Sequence, residues 1–174
     1  MSIGLFILRL VVGGLFIGHG TQKLFGWFGG GGPDGSGRFF AQIGYRPGKQ
    51  MAYLAGTTEA GAGALMVLGL LTPLAAAGII GVMVGTLPVH APKGLWNTNG
   101  GFELPLVYAA SAAALAYAGA GNYSIDHAIG WLASGGALGT AAVAFGALTG
   151  AVMIAVRSGR VQAQEQREAP RRAA

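Results

Sequence analysis

The chain has 174 residues, of which 52 % are apolar, 33 are glycine and only 10 % are charged. An average soluble domain carries roughly 25 % charge, so intrinsic disorder is excluded, a water-facing globule would lack polar surface, and an integral membrane protein is the economical class. The net charge is +5 and there is no cysteine, which removes disulfides, thiolate metal sites, thioether-linked haem and thiol redox chemistry within the chain.

The first apolar run, from Ile3 to Leu24, is no cleaved signal peptide, because Arg9 lies inside it and it leads into His19-Gly20-Thr21-Gln22-Lys23. The connection after it contains Gly29-Gly30-Gly31-Gly32-Pro33-Asp34-Gly35-Ser36-Gly37, which predicts an irregular, flexible loop. No GK[ST] follows it, so it is not a phosphate cradle. Further runs cover Met51 to Leu71, Pro73 to His90 and Phe102 to Gly119, and a fifth lies within Ala128 to Val156. Each approaches the ~20 residues that cross a ~30 Å hydrocarbon core, and in lipid each is expected to be helical, because a helix satisfies its own backbone. The tail after Arg157 is polar and mixed in charge, and is expected to be a frayed helix or disordered.

Loop charges orient these spans. With five of them, the first connection, the third connection and the tail share one side and collect ten basic residues, all but Arg9. The positive-inside rule then places the C-terminus in the cytoplasm and the N-terminus outside, in the cell inner (plasma) membrane. Because the basic residues are scattered between apolar runs, the bilayer is the expected partner and nucleic acid is not. Trp27, Trp96 and Trp131 fall at span ends, as interfacial anchors do.

Ionisable groups inside a span cost ~2.5–3.5 kcal/mol each and usually face protein or water. On the first helix Arg9, Gly13, Phe16, His19, Gly20 and Lys23 fall within an arc of about 120°, with Gln22 opposite. Arg9 either pairs with a carboxylate, snorkels, or has a functional role. Glu59 shares a face with Gly56, Ala60 and Gly63, small residues that let helices approach, so it is expected to point inward about a third of the way from the cytoplasmic end. There it must be paired or protonated. His90 ends the third span and Glu103 begins the fourth, so His19, Lys23, Glu59, His90, Trp96 and Glu103 are expected at one level. The pairs Gly14/Gly18, Gly81/Gly85, Gly135/Gly139 and Gly146/Gly150 predict helix packing within the bundle. His127 beside Asp126 is placed in a solvated outer loop.

The stretch Leu8-Arg9-Leu10…Gly14-Leu15-Phe16…His19-Gly20…Gln22-Lys23-Leu24-Phe25-Gly26 resembles the start of a DoxX-family membrane protein. Glu59-Ala60-Gly61-Ala62-Gly63 leading to Leu70-Leu71-Thr72-Pro73, then His90…Trp96…Phe102-Glu103 and Ser124-Ile125-Asp126, fit the same pattern. The resemblance implies an all-α polytopic transmembrane bundle with a four-helix DoxX-like core over residues 1–127; the fifth apolar run departs from that four-span pattern and is expected to add a transmembrane helix over 128–156, followed by a basic polar cytoplasmic tail over 157–174. It also implies a redox-linked role, since relatives include subunits of a thiosulfate:quinone oxidoreductase and proteins associated with quinol oxidation or oxidative-stress complexes.

These expectations make the chain a membrane subunit of a quinone-linked oxidoreductase system, with any electron donor supplied by a protein partner or a bound cofactor and oligomers allowed. A quinone pocket is expected among Phe16, His19, Gln22, Lys23, Glu59, His90, Trp96 and Glu103, with Glu59, His19 and His90 exchanging protons. Axial haem ligation by His19 and His90 ranks lower. No metal site is expected, because His19, Glu59, His90 and Glu103 match no recognised ligand spacing. The rival from another class is a non-catalytic scaffold anchoring soluble redox enzymes; a small-solute or proton pathway through Arg9 and Glu59 comes third.

Overall fold

The computed structural model describes residues 2–131 and 134–172, without the side chains of 164, 165 and 167–172, so those of the tail residues Arg167, Arg171 and Arg172 lie outside the described set. The elements are α1 (Ser2–Phe25), α2 (Gly32–Gln42), α3 (Gly48–Leu68), α4 (Thr72–Gly85), its short continuation α5 (Leu87–His90), α6 (Glu103–Ala118), the single turn α7 (Ile125–Ala128) and α8 (Gly136–Arg172). Ser2–Phe25, Thr72–Lys93 and Gly136–Ala163 are long and apolar enough to cross a membrane. Helix α3 carries Thr57, Thr58 and Glu59 in its middle, and α6 has only 16 residues. The chain is an all-α, multi-pass membrane bundle.

Helix α1 packs on α3, α3 on α4, α4 on α6, and α6 closes back on α1; α8 lies outside this ring against α4 and α6. Phe16, Met66, Ile79 and Leu115 fill the centre with essentially no exposure. In lipid, helix association relies on close packing rather than on escape from water, and the α1–α3 contact shows how the sequence supplies it. A Cβ on Gly13 would stand 2.6 Å from the Gly63 carbonyl oxygen, and one on Gly63 equally close to that of Gly13. The expected Gly14/Gly18 pair is not used: a Cβ on either residue would meet nothing within 4 Å. Contact falls instead on Gly13 and Gly20, seven residues apart and therefore on one face. Gly81, Gly146 and Gly150 do pack α4 against α8, whereas Gly85 and Gly135 face open space.

Two departures concern regular structure. The glycine-rich connection expected to be irregular becomes α2 from Gly32 onward, with Pro33 in its first turn and Asp34 paired to Lys49 Nζ at 2.8 Å. Pro is pre-set for a helix start and the carboxylate suits the helix N-terminus. Gly37 then lies so close to α3 that a Cβ would stand 2.9 Å from Lys49 Cα; the glycines serve packing here rather than flexibility. The last span begins at Gly136, after the separate turn α7, and continues as helix through the polar tail to Arg172.

Both ends are tied by long-range contacts. At one end the Tyr45 hydroxyl donates to the Gly85 carbonyl at 2.6 Å, and Arg157 Nε donates to the Ile43 carbonyl at 2.6 Å. The first connection, the end of α4 and the α8 extension therefore share one end, with Arg46, Lys49, Lys93 and Arg157. At the other end the α3–α4 turn meets the loop after α6 through Asp126.

Candidate functional site

Lys23 and Glu59 meet because α1 and α3 are antiparallel. Each Cα–Cβ bond tilts toward its own helix N-terminus, so Lys23 leans into the bundle while Glu59 leans back toward the α1 C-terminus. Lys23 Nζ lies 2.6 Å from Glu59 Oε2, with the lysine side chain 22 % exposed and the glutamate 5 %. Gly56 makes room, since a Cβ there would stand 3.2 Å from Lys23 Cβ. Lys23 also donates to the His19 carbonyl at 3.4 Å. Glu59 sits nearer the middle of α3 than expected, because α3 starts at Gly48 and ends at Leu68. Among the described residues, Glu59 Oε1 has no hydrogen-bond partner.

This pair opens on a lateral groove of about 940 Å³. Helices α3 and α8 flank α4 and leave the gap between them. The floor is α4 at Ala77, Gly78 and Gly81; one wall is α8 at Phe145, Leu148 and Val152. Phe40 and Tyr45 roof the end where Thr86 and His90 lie, Lys23 and Glu59 sit part-way along beside Thr57 and Thr58, and the rest of the lining is almost entirely apolar.

Of the residues expected in a pocket, Lys23, Glu59 and His90 line this groove. Phe16 is fully buried in the core, edge-on to Tyr108 at 5.1 Å between ring centroids. His19 Nδ1 shares a 3.3 Å hydrogen bond with Gln22, which donates to the Phe28 carbonyl. Trp96 is exposed, and Glu103 accepts the Asn97 backbone N–H at 2.8 Å, holding the third connection. His90 Nδ1 hydrogen-bonds the Gly100 carbonyl oxygen at 2.7 Å. The two histidines thus have separate partners, and among the described residues no three of His, Cys, Asp and Glu come together as a metal site.

Residues 4–91, just over half the chain, match the family model for DoxX. The chain belongs to the DoxX family. No curated protein and no solved structure matches it. The matched segment carries α1 to α5, and with them Lys23, Glu59 and His90; α6 and α8 lie beyond it.

The far end of this DoxX chain holds a second polar cluster. Arg9 has no exposure and donates to the Tyr123 carbonyl, while its Nε and Nη1 have no hydrogen-bond partner among the described residues. His127 is exposed, as expected, while its neighbour Asp126 is only 3 % exposed. Its Oδ1 accepts from the Leu71 N–H at 2.9 Å, and its Oδ2 from the Thr72 N–H at 3.1 Å and the Thr72 hydroxyl at 2.9 Å. Asp126 therefore caps α4 from a distance of 54 residues in sequence, which no local cap motif signals. The available clue was a buried arginine needing a carboxylate among six acidic residues.

Outside the spans, burial pushes the Tyr45 hydroxyl above its ordinary range, with Arg157 opposing. The hydrogen bond and charge of Lys49 hold the Asp34 carboxyl below its ordinary range.

Proposed function

We propose that this DoxX protein is a quinone-binding membrane subunit of a redox system, located in the plasma membrane with its basic end in the cytoplasm. Glu59 is the acceptor for the head group. The observation that carries this is the half-satisfied carboxylate: Oε2 is held by Lys23, and Oε1 has no partner at the edge of the groove. Oε1 is not sealed in the core but accessible from the groove, and a carboxylate oxygen at the edge of an apolar site calls for a donor. The hydroxyl of a quinol is such a donor, and it arrives dissolved in lipid, where this groove opens.

The residues fit such a group in polarity and access: one carboxylate, one cation, hydroxyls of Thr57, Thr58 and Thr86, and a histidine, around an apolar channel. The quinone, when bound, supplies two-electron, two-proton chemistry. Glu59 accepts the hydrogen bond and takes a proton at Oε1. Lys23, partly exposed, balances its charge while ionised and turns outward when it is not. His90, at the basic end of the groove, passes the proton toward water. Electrons pass to or from a protein partner or a bound cofactor, since this chain has no cysteine thiol to carry them.

Mass spectrometry of small molecules co-purifying in mild detergent tests this. Stoichiometric quinone in wild type that drops in folded Glu59→Gln is the expected result; lipid alone in both samples contradicts it. One observation favours the scaffold alternative: α8 continues well past Val156 as a polar helix, a surface on which soluble enzymes could be anchored. A scaffold keeps its function in Glu59→Gln.

A further inference from the structure

We infer that the groove is a tail-binding site, built by α8, for the polyisoprenoid chain of the quinol whose head meets Glu59; this rests on the head-group assignment above. A ring alone does not need this volume. Pockets that enclose a whole drug-sized ligand run about 300–1,000 Å³, and this one holds about 940 Å³. Its lining runs along α3 from Met51 to Leu65, about 21 Å at 1.5 Å per residue, which is about two thirds of a ~30 Å hydrocarbon core. Lys23, Thr57, Thr58 and Glu59 form a polar strip part-way along the α3 side, Thr86 and His90 lie at one end, and apart from Thr149 the α4 floor and the α8 wall offer hydrocarbon.

The second wall is what makes this a channel rather than an ordinary lipid-facing surface. Phe145, Leu148, Thr149, Val152 and Met153 line it at spacings of three and four, a single face of α8. The glycines at 146 and 150 bring that face hard against α4: a Cβ on Gly146 would stand 2.6 Å from the Ala77 carbonyl oxygen, and one on Gly150 2.7 Å from that of Gly81. Helix α8 lies outside the family match, so the tail channel is a feature added to the matched segment. The terminal carboxylate favours a hydrogen-bond donor at the head over an anionic phosphate, because Lys23 is already engaged by Glu59.

Gly61 offers the test. It lines the groove, and a Cβ there would meet nothing within 4 Å. Gly61→Phe fills the channel without touching Glu59, and Gly14→Phe, on the open face of α1, is the matched control. Equilibrium binding in nanodiscs would compare a polyprenyl ubiquinol, the same head with a methyl in place of the tail, and dioleoyl phosphatidylglycerol as competitor. The expected result is that wild type and Gly14→Phe bind the polyprenyl ligand at least tenfold more tightly than the methyl one. Gly61→Phe removes that difference and leaves methyl-ligand binding unchanged, and the phospholipid competes poorly. Equal affinities for the two quinols in wild type, unchanged polyprenyl binding in Gly61→Phe, or full competition by the phospholipid overturns the tail channel. Loss of polyprenyl binding in Gly61→Phe with none in Glu59→Gln supports the channel while overturning the head-group assignment, so the two fail separately.

Discussion

Lys23 Nζ and Glu59 Oε2 stand 2.6 Å apart, joining the C-terminal turn of α1 to the middle of α3. The contact is asymmetric in depth. The lysine is partly exposed near a helix end, whereas the glutamate is enclosed and could not be ionised in lipid without it. Glycines at 13, 20, 56 and 63 bring the two helices close enough for the pair to form. Breaking it from the glutamate side leaves a lysine that can snorkel away; breaking it from the lysine side leaves a carboxylate that cannot.

Lys23→Met is therefore expected to destabilise more than Glu59→Gln. Removing one partner of a fully buried pair costs about 3–5 kcal/mol; partial exposure of Lys23 reduces this to about 1–3 kcal/mol for the lysine variant. Lys23→Met/Glu59→Leu is expected to recover most of the loss. Thermal unfolding in detergent across this double-mutant cycle checks it, and a double variant no more stable than the worse single one argues against the pair.

The two glycine faces of α1 make a paired prediction. Gly13→Leu puts a side chain into the Gly63 backbone and is expected to prevent folding or cost several kcal/mol, on the order of severe overpacking. Gly14→Leu, one residue away on the open side, is expected to change stability by less than about 0.5 kcal/mol. Yield and monodispersity on size exclusion distinguish them; equal behaviour would mean that α1 is turned differently against α3.

Asp126 holds the start of α4, and its loss exposes a strained residue. Leu71 has φ 49°, in the left-handed region, which costs a branched side chain on the order of 1 kcal/mol. The Asp126 carboxylate pins it through the Leu71 and Thr72 N–H groups. Asp126→Ala is expected to cost about 1–3 kcal/mol, and Leu71→Gly to offset part of it. Hydrogen exchange should show the first turn of α4 losing protection in Asp126→Ala. Protection unchanged there would remove the cap from the account.

The Tyr45 contact has a pH dependence of defined sign. Its hydroxyl is held above the ordinary value of about 10, so folding favours the protonated form. The stability it adds is complete below the unfolded value and is lost as pH rises through the folded one. Tyrosinate absorbance should show a late-titrating component in wild type that is smaller by one group in Tyr45→Phe. Identical titrations would mean that Tyr45 is not buried against Gly85.

Much of this was legible in the sequence. The apolar runs marked α1, α3 and α6 to within a few residues, whereas α8 starts later and extends well beyond its run. Glu59 announced itself as an inward carboxylate because Gly56, Ala60 and Gly63 share its face, and neutralising Lys23 was one of its foreseeable roles. What did not show was anything set by tertiary contact. Helix α2 depends on the Asp34–Lys49 pair and on Gly37 meeting α3, neither visible in a glycine-rich string. The capping role of Asp126 did not show, because its partners at Leu71 and Thr72 are distant in sequence. Phe16 and His90, expected side by side, were separated by rotation about their helices, which shared depth does not specify. The groove arises from a gap between two helices, and no periodicity reports a gap.

The most direct test of the central claim reads the Glu59 carboxyl itself. Infrared difference spectra between oxidised and reduced quinone, recorded on the protein in quinone-containing nanodiscs, should contain a carboxyl band that disappears in Glu59→Gln and persists in Gly14→Phe. That result would place Glu59 on the head group. Identical difference spectra from wild type and a folded Glu59→Gln would contradict the account and leave the Lys23–Glu59 pair as a structural bond between two helices.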